Sequence, residues 1–298
     1  MSETHIHPTA VVEPGARLGR GVRVGPFCYV AADVELGDGC LLHPHVTLLG
    51  PSTFGARNQF FPQATRGGPP QDLKYRGGPT PLVVGDDNVF RESVTVHRGT
   101  EVDASGGVTR IGSNNLLMVG VHVAHDVEVG NHCILANCVQ LAGHVCIEDR
   151  VVVGGHSAMH HFVTVGRYAY IAGMTRITHD VPPYLKVAGY DQKVRGPNSL
   201  GMGRWQIPEP SIRGVRAAWR MLYARRRPAA PAIQVLGEIE SNGLMGDDHV
   251  RYLVEFLRRK LAAGGALGRV REARRADSDA DRRKFYRTTD SEDERGST

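Results

Sequence analysis

The stretch that decides the fold is residues 111–182, which divide into twelve hexads: IGSNNL, LMVGVH, VAHDVE, VGNHCI, LANCVQ, LAGHVC, IEDRVV, VGGHSA, MHHFVT, VGRYAY, IAGMTR and ITHDVP. Every first letter is apolar. Since 41% of the chain is apolar, twelve such letters in succession arise by chance about once in 40,000 trials. The fifth letter is usually small, as in Val121, Val127 and Cys133. This repeat predicts short strands that point one large and one small side chain inward.

The same register extends toward the N-terminus, with ten hexads from Ile6 to Thr65 and three more over 84–101. A repeat of six is not a multiple of 3.6, so an α-helix is excluded, and the pattern is too long for one ordinary strand. Three hexads make a coil of 18 residues, and stacked coils form parallel sheets. Glycines at the second hexad position, such as Gly112 and Gly130, are expected to turn the corners.

Two breaks in the register and the end of the hexads define the predicted domains. The glycine- and proline-rich residues 66–81 and residues 102–110 are expected to bulge out as loops. The hexads end at Pro183, so 1–183 is predicted to be the β-helix domain. Residues 184–207 look irregular, and helices are expected from Ser211 and over 246–263, in a C-terminal helical domain of residues 184–263. The charged segment 264–298 is predicted to be disordered.

Composition excludes several classes of protein. The net charge of +5 is too diffuse for a nucleic-acid partner. No window approaches the roughly 18 apolar residues of a membrane span, and the N-terminus resembles no secretory signal, so a cytoplasmic location is expected. The five cysteines include no C-x-x-C pair, which argues against a disulfide framework or a zinc site. Cys28, Cys40 and Cys133 occupy fifth positions and are expected to be small buried hydrophobes.

The histidines are the candidate chemical groups. Of fourteen, isolated ones such as His5, His7 and His45 are expected only to decorate the surface. The 18-residue period predicts that others stack on adjacent coils, in the series His125–Gly143–His161, Asp126–His144 and Ala142–His160. Two kinds of site fit such a cluster. One is a metal site, because histidine is a common zinc ligand. The other is general-base catalysis, with a carboxylate such as Asp126 orienting the imidazole.

Several segments resemble a known family of enzymes. They are QDLKY (71–75), RESVTVHRGT (91–100), SNNLLM (113–118), HVAHDVEVGNHCILAN (122–137), LAGHV (141–145) and DVPPY (180–184). Together they resemble the acyl-[acyl-carrier-protein]–UDP-N-acetylglucosamine O-acyltransferase family, over about residues 5–205. The resemblance implies that the β-helix is left-handed, which the period alone does not reveal, since parallel crossovers are usually right-handed.

The resemblance also implies a function and an assembly. The family carries out the first step of lipid A biosynthesis as a homotrimer with active sites between neighbouring β-helices. It moves a 3-hydroxyacyl group from acyl-carrier protein to the 3-hydroxyl of UDP-N-acetylglucosamine. The catalytic base falls on His125, its orienting residue on Asp126, and the backbone oxyanion donor on Gly143. Neither a metal nor a cofactor is expected.

The substrate contacts carry over in the same way. Sugar-nucleotide contacts fall on Asp72, Lys74, His122, His144, His160, Asn198 and Arg204. The position that limits acyl-chain length falls on Gly173. Three positions depart from the family pattern: His161 replaces a glutamine, Leu200 a glutamate and Trp205 an arginine. These positions contact the sugar nucleotide in the family, His161 included, so a 3-amino UDP-sugar is an alternative acceptor.

Three rival functions differ in testable ways. The N-acyltransferase of the same pathway is expected to carry an additional N-terminal uridine-binding domain, for which hexads beginning at Ile6 leave no room. A γ-type carbonic anhydrase needs three histidines that hold zinc across a subunit interface. A non-catalytic β-helix would bind an acyl carrier or a sugar nucleotide without turnover.

Overall fold

A computed structural model of the chain describes residues 3–102, 107–224, 231–262, 269 and 271. Apart from Arg269 and Arg271, the segment predicted to be disordered lies outside these residues. The described part begins with a run of two- to four-residue strands. The first fourteen are β1 (His5–Ile6), β2 (Val11–Val12), β3 (Arg17–Leu18), β4 (Arg23–Val24), β5 (Tyr29–Val30), β6 (Val34–Leu36), β7 (Leu41–Leu42), β8 (Thr47–Leu48), β9 (Ser52–Phe54), β10 (Gln59–Phe60), β11 (Thr65–Gly68), β12 (Leu82–Val84), β13 (Val89–Phe90) and β14 (Thr95–His97).

The second half of the β-helix continues in the same way and ends in a hairpin. Its strands are β15 (Thr109–Ile111), β16 (Leu116–Leu117), β17 (His122–Val123), β18 (Glu128–Val129), β19 (Ile134–Leu135), β20 (Gln140–Leu141), β21 (Cys146–Ile147), β22 (Val152–Val153), β23 (Ala158–Met159), β24 (Thr164–Val165), β25 (Tyr170–Ile171), β26 (Arg176–Ile177), β27 (Leu185–Ala188) and β28 (Lys193–Pro197).

Every third strand belongs to the same sheet, which gives three parallel sheets around one interior. Sheet A runs from β1 to β27 with β28 antiparallel at its end, sheet B from β2 to β26, and sheet C from β3 to β24. In regular coils the paired residues are 18 apart, as His5 and Arg23 are. The fold class expected from the hexads and the family resemblance, a left-handed parallel β-helix followed by helices, is confirmed.

The interior holds the first and fifth hexad positions, as the repeat predicts. Val121, Val123 and Val127 are fully buried and belong to one continuous cluster that extends from Val22 to Val187. The three fifth-position cysteines are buried as well, at 0–1% exposure. Each coil therefore buries its large and small apolar side chains against those of the next coil, and this burial is the main favourable term for the fold.

The glycines at the second position have a different role from the one predicted. Their backbone is not left-handed. A Cβ on Gly112 would lie 2.6 Å from the carbonyl oxygen of Gly130, its equivalent in the next coil. The left-handed turn residue is instead the fourth of most hexads, for example Asp126 (φ 57°) and His144 (φ 62°). The second position is glycine because successive backbones approach there too closely for a side chain.

Both predicted loops are shorter than expected, since the first begins later and the second ends earlier. Arg66 and Gly68 still belong to β11, and Thr109 and Arg110 begin β15. Arg66 pairs with Leu48 and Val96 and is fully buried, so it occupies an inward first position. The hexad pattern did not identify Arg66 as an inward residue, because the pattern recognises an inward first position only where that residue is apolar.

The chain after the last coil is more regular than expected. Residues 185–188 and 193–197 form the hairpin β27–β28, and four helices follow: α1 (Ser199–Arg204), α2 (Glu209–Tyr223), α3 (Ala232–Ser241) and α4 (Asp248–Ala262), with a 3-10 turn at Leu244–Gly246. The helix predicted to start at Ser211 starts at Glu209, after Pro208, so Ser211 is not its cap. Helices α1 and α3 were not predicted, because both are short and contain glycine.

The helices bury a second apolar cluster with Tyr168, Tyr184 and Leu185 of the last coils. The predicted domain boundary at residue 183 stays a prediction. None of the helices in the described part of the chain is long and apolar enough to cross a membrane.

Candidate functional site

His125 and Asp126 lie at the corner between β17 of sheet B and β18 of sheet C. The side chain of His125 is buried, and its Nδ1 lies 2.9 Å from Oδ2 of Asp126. A carboxylate only accepts hydrogen bonds, so Nδ1 carries the hydrogen and Nε2 keeps its lone pair. The arrangement therefore presents a basic nitrogen whose ring is oriented by a carboxylate.

Asp126 is itself held by two threonines of the preceding coil. Its carboxylate accepts hydrogen bonds from the backbone N–H of Thr100 (3.1 Å) and from Oγ1 of Thr100 (2.8 Å). Oγ1 of Thr109 accepts the backbone N–H of Asp126 at 2.8 Å. Both threonines are buried. These contacts fix the orienting carboxylate. The sequence did not predict the contact with Thr100, because the second loop lies between the two residues and they are 26 positions apart, not one 18-residue coil.

Gly143 lies directly against His125 in the next coil, as the 18-residue arithmetic predicts. A Cβ on Gly143 would lie 2.5 Å from Nε2 of His125, far inside van der Waals contact, so this position has to be glycine. The backbone N–H of Gly143 donates no hydrogen bond within the described part of the chain. It is therefore available beside the basic nitrogen.

The first loop brings a carboxylate and an amine to the same corner. Oδ2 of Asp72 lies 3.6 Å from Nε2 of His125 and 3.6 Å from Nζ of Lys74, and both loop side chains are mostly buried. The loop is held by Tyr75, whose hydroxyl donates to the carbonyl of Gly78 (2.7 Å) and accepts from Arg98 (3.1 Å). Asp72, which is far from His125 in the sequence, thus contacts it in space, and Lys74 contacts Asp72.

His144 and His122 flank the base on its two sides. The ring of His144 stacks on Phe162 (4.4 Å between centroids) and meets the ring of His125 edge-on at 5.1 Å. Nδ1 of His122 lies 2.8 Å from Oγ1 of Thr95. Burial, with a smaller contribution from the charge of His125, lowers the pKa of His122.

His97 is a fourth histidine at this corner that the sequence did not single out. Its ring meets that of His122 edge-on at 5.1 Å. Burial, followed by the charges of His122 and His125, lowers the pKa of His97 to about 4. His97 is therefore neutral at pH 7. It ends strand β14 and pairs with Gly68, from which the first loop departs.

Three predicted site residues are more exposed. The rings of His160 and His161 lie edge-on at 5.5 Å, and both side chains are exposed. Gly173 lies at the corner between sheets A and B. A Cβ there would lie 3.3 Å from the carbonyl oxygen of Gly155, which stacks above it. Gly155 and Gly173, which stack on successive coils, leave these two positions of the corner without side chains.

Asn198 and Arg204 lie at a different corner from His125 within one chain. Asn198 caps α1 by accepting from the N–H of Gly201 (3.2 Å) and donates to the carbonyl of Tyr168 (2.9 Å). Tyr168 belongs to the turn between sheets C and A, whereas His125 belongs to the turn between sheets B and C. Arg204 is exposed in the last turn of α1.

Two of the three residues that depart from the family pattern, Leu200 and Trp205, lie at the same corner as α1, whereas His161 lies in the turn between sheets B and C. Leu200 is 68% exposed. Trp205 is 41% exposed and packs against the ring of His132 (5.2 Å) and the guanidinium of Arg150 (4.9 Å).

Two grooves lie on sheet C, away from His125. One has a volume of about 630 Å³ and is lined by Arg110, Glu148 and Tyr252 among others. The other, about 280 Å³, lies between sheet C and α4. Neither is lined by His125, which lies at the corner between sheets B and C.

His125, Asp126 and His144 also satisfy the proximity needed for a metal ion. One donor atom from each lies within 4.8 Å of the others. Asp126, however, is already bonded to Thr100, and Nδ1 of His125 is bonded to Asp126. This set is a carboxylate–histidine pair with a second histidine, rather than three histidines converging on one point.

Comparison with known proteins agrees with the geometry. Residues 180–264 match the family model "Udp N-acetylglucosamine O-acyltransferase; Domain 2", and residues 15–50 and 109–143 match "Bacterial transferase hexapeptide (six repeats)". The acyl-[acyl-carrier-protein]–UDP-N-acetylglucosamine O-acyltransferase of Saccharophagus degradans is 47% identical over 233 residues, which are 78% of this chain and 90% of that protein.

The chain belongs to the acyl-[acyl-carrier-protein]–UDP-N-acetylglucosamine O-acyltransferase family.

Other members of the family agree. The enzyme of the same name from Bartonella bacilliformis is 44% identical over 255 residues, or 86% of this chain and 92% of that protein. The structure of LpxA from Acinetobacter baumannii superposes with a TM-score of 0.80 at 38% identity, covering 85% of this chain and 96% of that one. The family predicted from QDLKY and the His125 segment is therefore confirmed, and the chain is an acyltransferase.

Proposed function

We propose that this chain transfers a 3-hydroxyacyl group from acyl-carrier protein to the 3-hydroxyl of UDP-N-acetylglucosamine, as the first step of lipid A biosynthesis in the cytoplasm. The observation that carries the proposal is the contact set of His125, which joins an oriented basic nitrogen, a stacked glycine N–H and the loop residues Asp72 and Lys74.

His125 acts as the general base. Nε2 takes the proton of the sugar hydroxyl while the hydroxyl oxygen attacks the thioester carbonyl. When the tetrahedral intermediate collapses, the C–S bond breaks and the imidazolium returns the proton to the departing sulfur, which releases the carrier as its thiol. Asp126 accepts the Nδ1 hydrogen, which fixes the ring and stabilises the imidazolium that forms. The two hydrogen bonds from Thr100 keep this carboxylate in place.

The backbone N–H of Gly143 stabilises the oxyanion of the tetrahedral intermediate. It has no acceptor within the described residues and lies beside the base. A donor already aimed at the developing charge contributes about 3 kcal/mol to transition-state stabilisation in comparable sites. No covalent enzyme intermediate is needed, because the base and the oxyanion donor both assist the direct attack of the sugar hydroxyl on the thioester carbonyl.

The substrate contacts divide between two corners, which supports a homotrimer. Asp72, His122 and His144 lie around His125, Lys74 lies beside Asp72, and His160 and His161 lie on the coil after that of His144. Asn198 and Arg204 lie at the corner between sheets C and A. A neighbouring subunit that presents its own α1 to His125 would complete one site for the sugar nucleotide. Light scattering of the purified protein tests the trimer, and a monodisperse monomer with full activity would contradict it.

The acceptor and the acyl chain are the finer parts of the proposal. His161, Leu200 and Trp205 replace residues that contact the nucleotide in the family, so a 3-amino UDP-sugar is the alternative acceptor. The glycines at positions 155 and 173 leave room for a long acyl chain. The arginine-rich C-terminal helices suit an acidic carrier protein.

A metal-dependent activity is the second candidate, because His125, Asp126 and His144 lie within metal-ligand distance. Metal analysis of the purified protein distinguishes the two. Stoichiometric zinc together with hydration of CO₂ would favour a γ-type carbonic anhydrase. A third outcome, binding of the sugar nucleotide without turnover, would identify a non-catalytic β-helix.

One assay tests the main proposal. Purified protein is incubated with acyl-carrier proteins of several chain lengths and with either acceptor, and products are identified by mass. We expect O-acylated UDP-N-acetylglucosamine, and His125→Ala is expected to lower kcat by at least about 1,000-fold, within the range for general bases.

The matched control is His5→Ala, which removes an exposed histidine of the first strand. It should retain full activity. Near-normal turnover by His125→Ala with an intact trimer would refute His125 as the base.

A further inference from the structure

The chain beyond α4 returns to the β-helix at two arginines. Lys260, in the last turn of α4, donates to the carbonyl oxygen of Asp180 at 3.0 Å. Nη1 of Arg269 then donates to the carbonyl oxygen of Thr178 at 2.7 Å. Nη2 of Arg271 lies 2.6 Å from Oε1 of Glu128, in strand β18. Arg271 thus contacts strand β18 of sheet C, and Arg269 contacts the turn that follows strand β26.

The surface that receives Arg271 is acidic and concave. It is the groove of about 280 Å³ between sheet C and α4, and its lining includes three carboxylates, from Glu128, Glu148 and Asp180. Arg259 of α4 is the other cation that lines it. The side chain of Arg271 is only 11% exposed there. A guanidinium inserted among carboxylates forms a stronger contact than an exposed ion pair does.

These arginines lie beyond the part of the chain that the family shares. The family model that covers the C-terminal helices ends at residue 264. The Acinetobacter baumannii structure is covered over 96% of its length by only 85% of this chain. Residues 269–275, with the sequence RVREARR, carry four arginines and one glutamate. The basic segment is therefore an addition that matches the acidic groove in charge.

We propose that the acidic groove of sheet C is a docking site for Arg271, and that this contact, together with that of Arg269 on Thr178, clamps α4 onto the β-helix. Glu128 is the first residue of β18, two residues after Asp126 at the corner, so the clamp joins the C-terminal helices to the strand that leaves the catalytic corner. The proposal does not depend on the acyl acceptor or on the assembly.

Hydrogen exchange of the full-length protein, read by mass spectrometry on peptides, tests the clamp. Arg271→Glu is expected to speed exchange in α4 (Asp248–Ala262) at least about fivefold, because local opening becomes easier when a docking contact is lost. Glu128→Arg should have the same effect. The double variant Glu128→Arg/Arg271→Glu should restore exchange to within about twofold of the original chain, since it exchanges the two charges without losing the pair.

The matched control is Arg57→Glu, which breaks another ion pair of 2.6 Å, with Asp87, far from α4. It should leave exchange in α4 unchanged. Glu128→Gln keeps the size of the side chain and should speed exchange less than Glu128→Arg, which serves as the milder variant if charge reversal impairs folding. Unchanged exchange in both Arg271→Glu and Glu128→Gln would overturn the proposal. So would a double variant that exchanges as fast as the single ones.

Discussion

The corner at His125 and the interior at Arg66 bury polar groups in opposite ways. At the corner, Asp126 is 1% exposed and bonds to Thr100 and His125. In the interior, the guanidinium of Arg66 makes one hydrogen bond, from Nη1 to the carbonyl oxygen of Val94 (2.6 Å). Its Nε and Nη2 are buried without a hydrogen-bond partner among the described residues.

The rings of Phe90 and Phe60 are the main neighbours of this cation, at 4.5 and 5.7 Å from its central carbon. Burial lowers the pKa of Arg66 to about 9. Aromatic faces attract a cation but do not replace the hydrogen bonds it loses.

The difference follows from what each position has for neighbours. At a corner, the loops and turns of adjacent coils supply hydroxyl and amide donors. On the inward ladder of sheet B, the residues above and below Arg66 are Leu48 and Val96, which supply only methyl groups. The buried polar groups at the corner are therefore hydrogen-bonded to one another around the candidate base. The buried charge of Arg66 instead lowers the free energy of unfolding.

Beyond the loss of the base itself, the largest effect is expected at the orienting carboxylate. Asp126→Ala should lower kcat at least about 100-fold, because the imidazole loses the acceptor that fixes it. It should also destabilise the fold by about 1–3 kcal/mol, since the buried N–H of Thr100 loses its partner. Steady-state kinetics and denaturant unfolding measure the two effects. Full activity in this variant would show that the corner is structural.

A second test uses the contact between Gly143 and His125. Gly143→Ala places a Cβ where the imidazole lies, so the ring must move, and kcat should fall about 10- to 100-fold, the loss typical of a misplaced catalytic group. Gly237→Ala in α3 is the control, because a Cβ there meets nothing within 4 Å. Equal activities of the two variants would contradict the packing of the base on Gly143.

A substitution of the buried polar group in the interior should raise the stability of the protein instead of lowering it. Arg66→Leu is expected to stabilise the protein by about 1–4 kcal/mol, as replacing buried charges by apolar residues often does. The folded-state pKa of about 9 is below the ordinary value of 12.5 for arginine, so the free-energy cost of burying the charge is fully present below pH 9. This cost decreases as the pH rises from 9 toward 12.5, because the folded chain releases the proton of Arg66 while the unfolded chain keeps it.

Thermal midpoints at pH 7 and pH 10 measure this effect, and the gain from Arg66→Leu should be larger at pH 7. A lower midpoint in Arg66→Leu than in the original chain would mean that the guanidinium stabilises the first loop.

The smallest effect is expected at His97. Its pKa is lowered from 6.5 to about 4 in the folded protein. As the pH falls from 6.5 toward 4, the unfolded chain takes up a proton that the folded one does not, so stability is lost across this window. His97→Asn should flatten the fall of the thermal midpoint over this range, whereas His5→Asn should not. Identical pH profiles for His97→Asn and the original chain would contradict the burial of His97.

Much of the fold was predictable because the β-helix repeats one local pattern. The hexads fix which side chains point inward, and the 18-residue period fixes which residues stack, so Gly143 could be placed beside His125 before any coordinates. The period fails where a coil is interrupted. Across the first loop, paired residues such as Gln59 and Val89 are 30 apart, which concealed the inward position of Arg66 and the contact of His97 with Gly68.

The sequence by itself determined the repeat, the family and the histidine at the corner, because these depend on residues that are regularly spaced or that form contiguous motifs. Only the tertiary structure decided which residues surround that histidine. Asp72 reaches it on an extruded loop, and Thr100 reaches Asp126 across another, at separations that no period encodes. The tertiary structure also revealed that a charged side chain lies in the core, because packing, and not pattern, decides what each coil can bury.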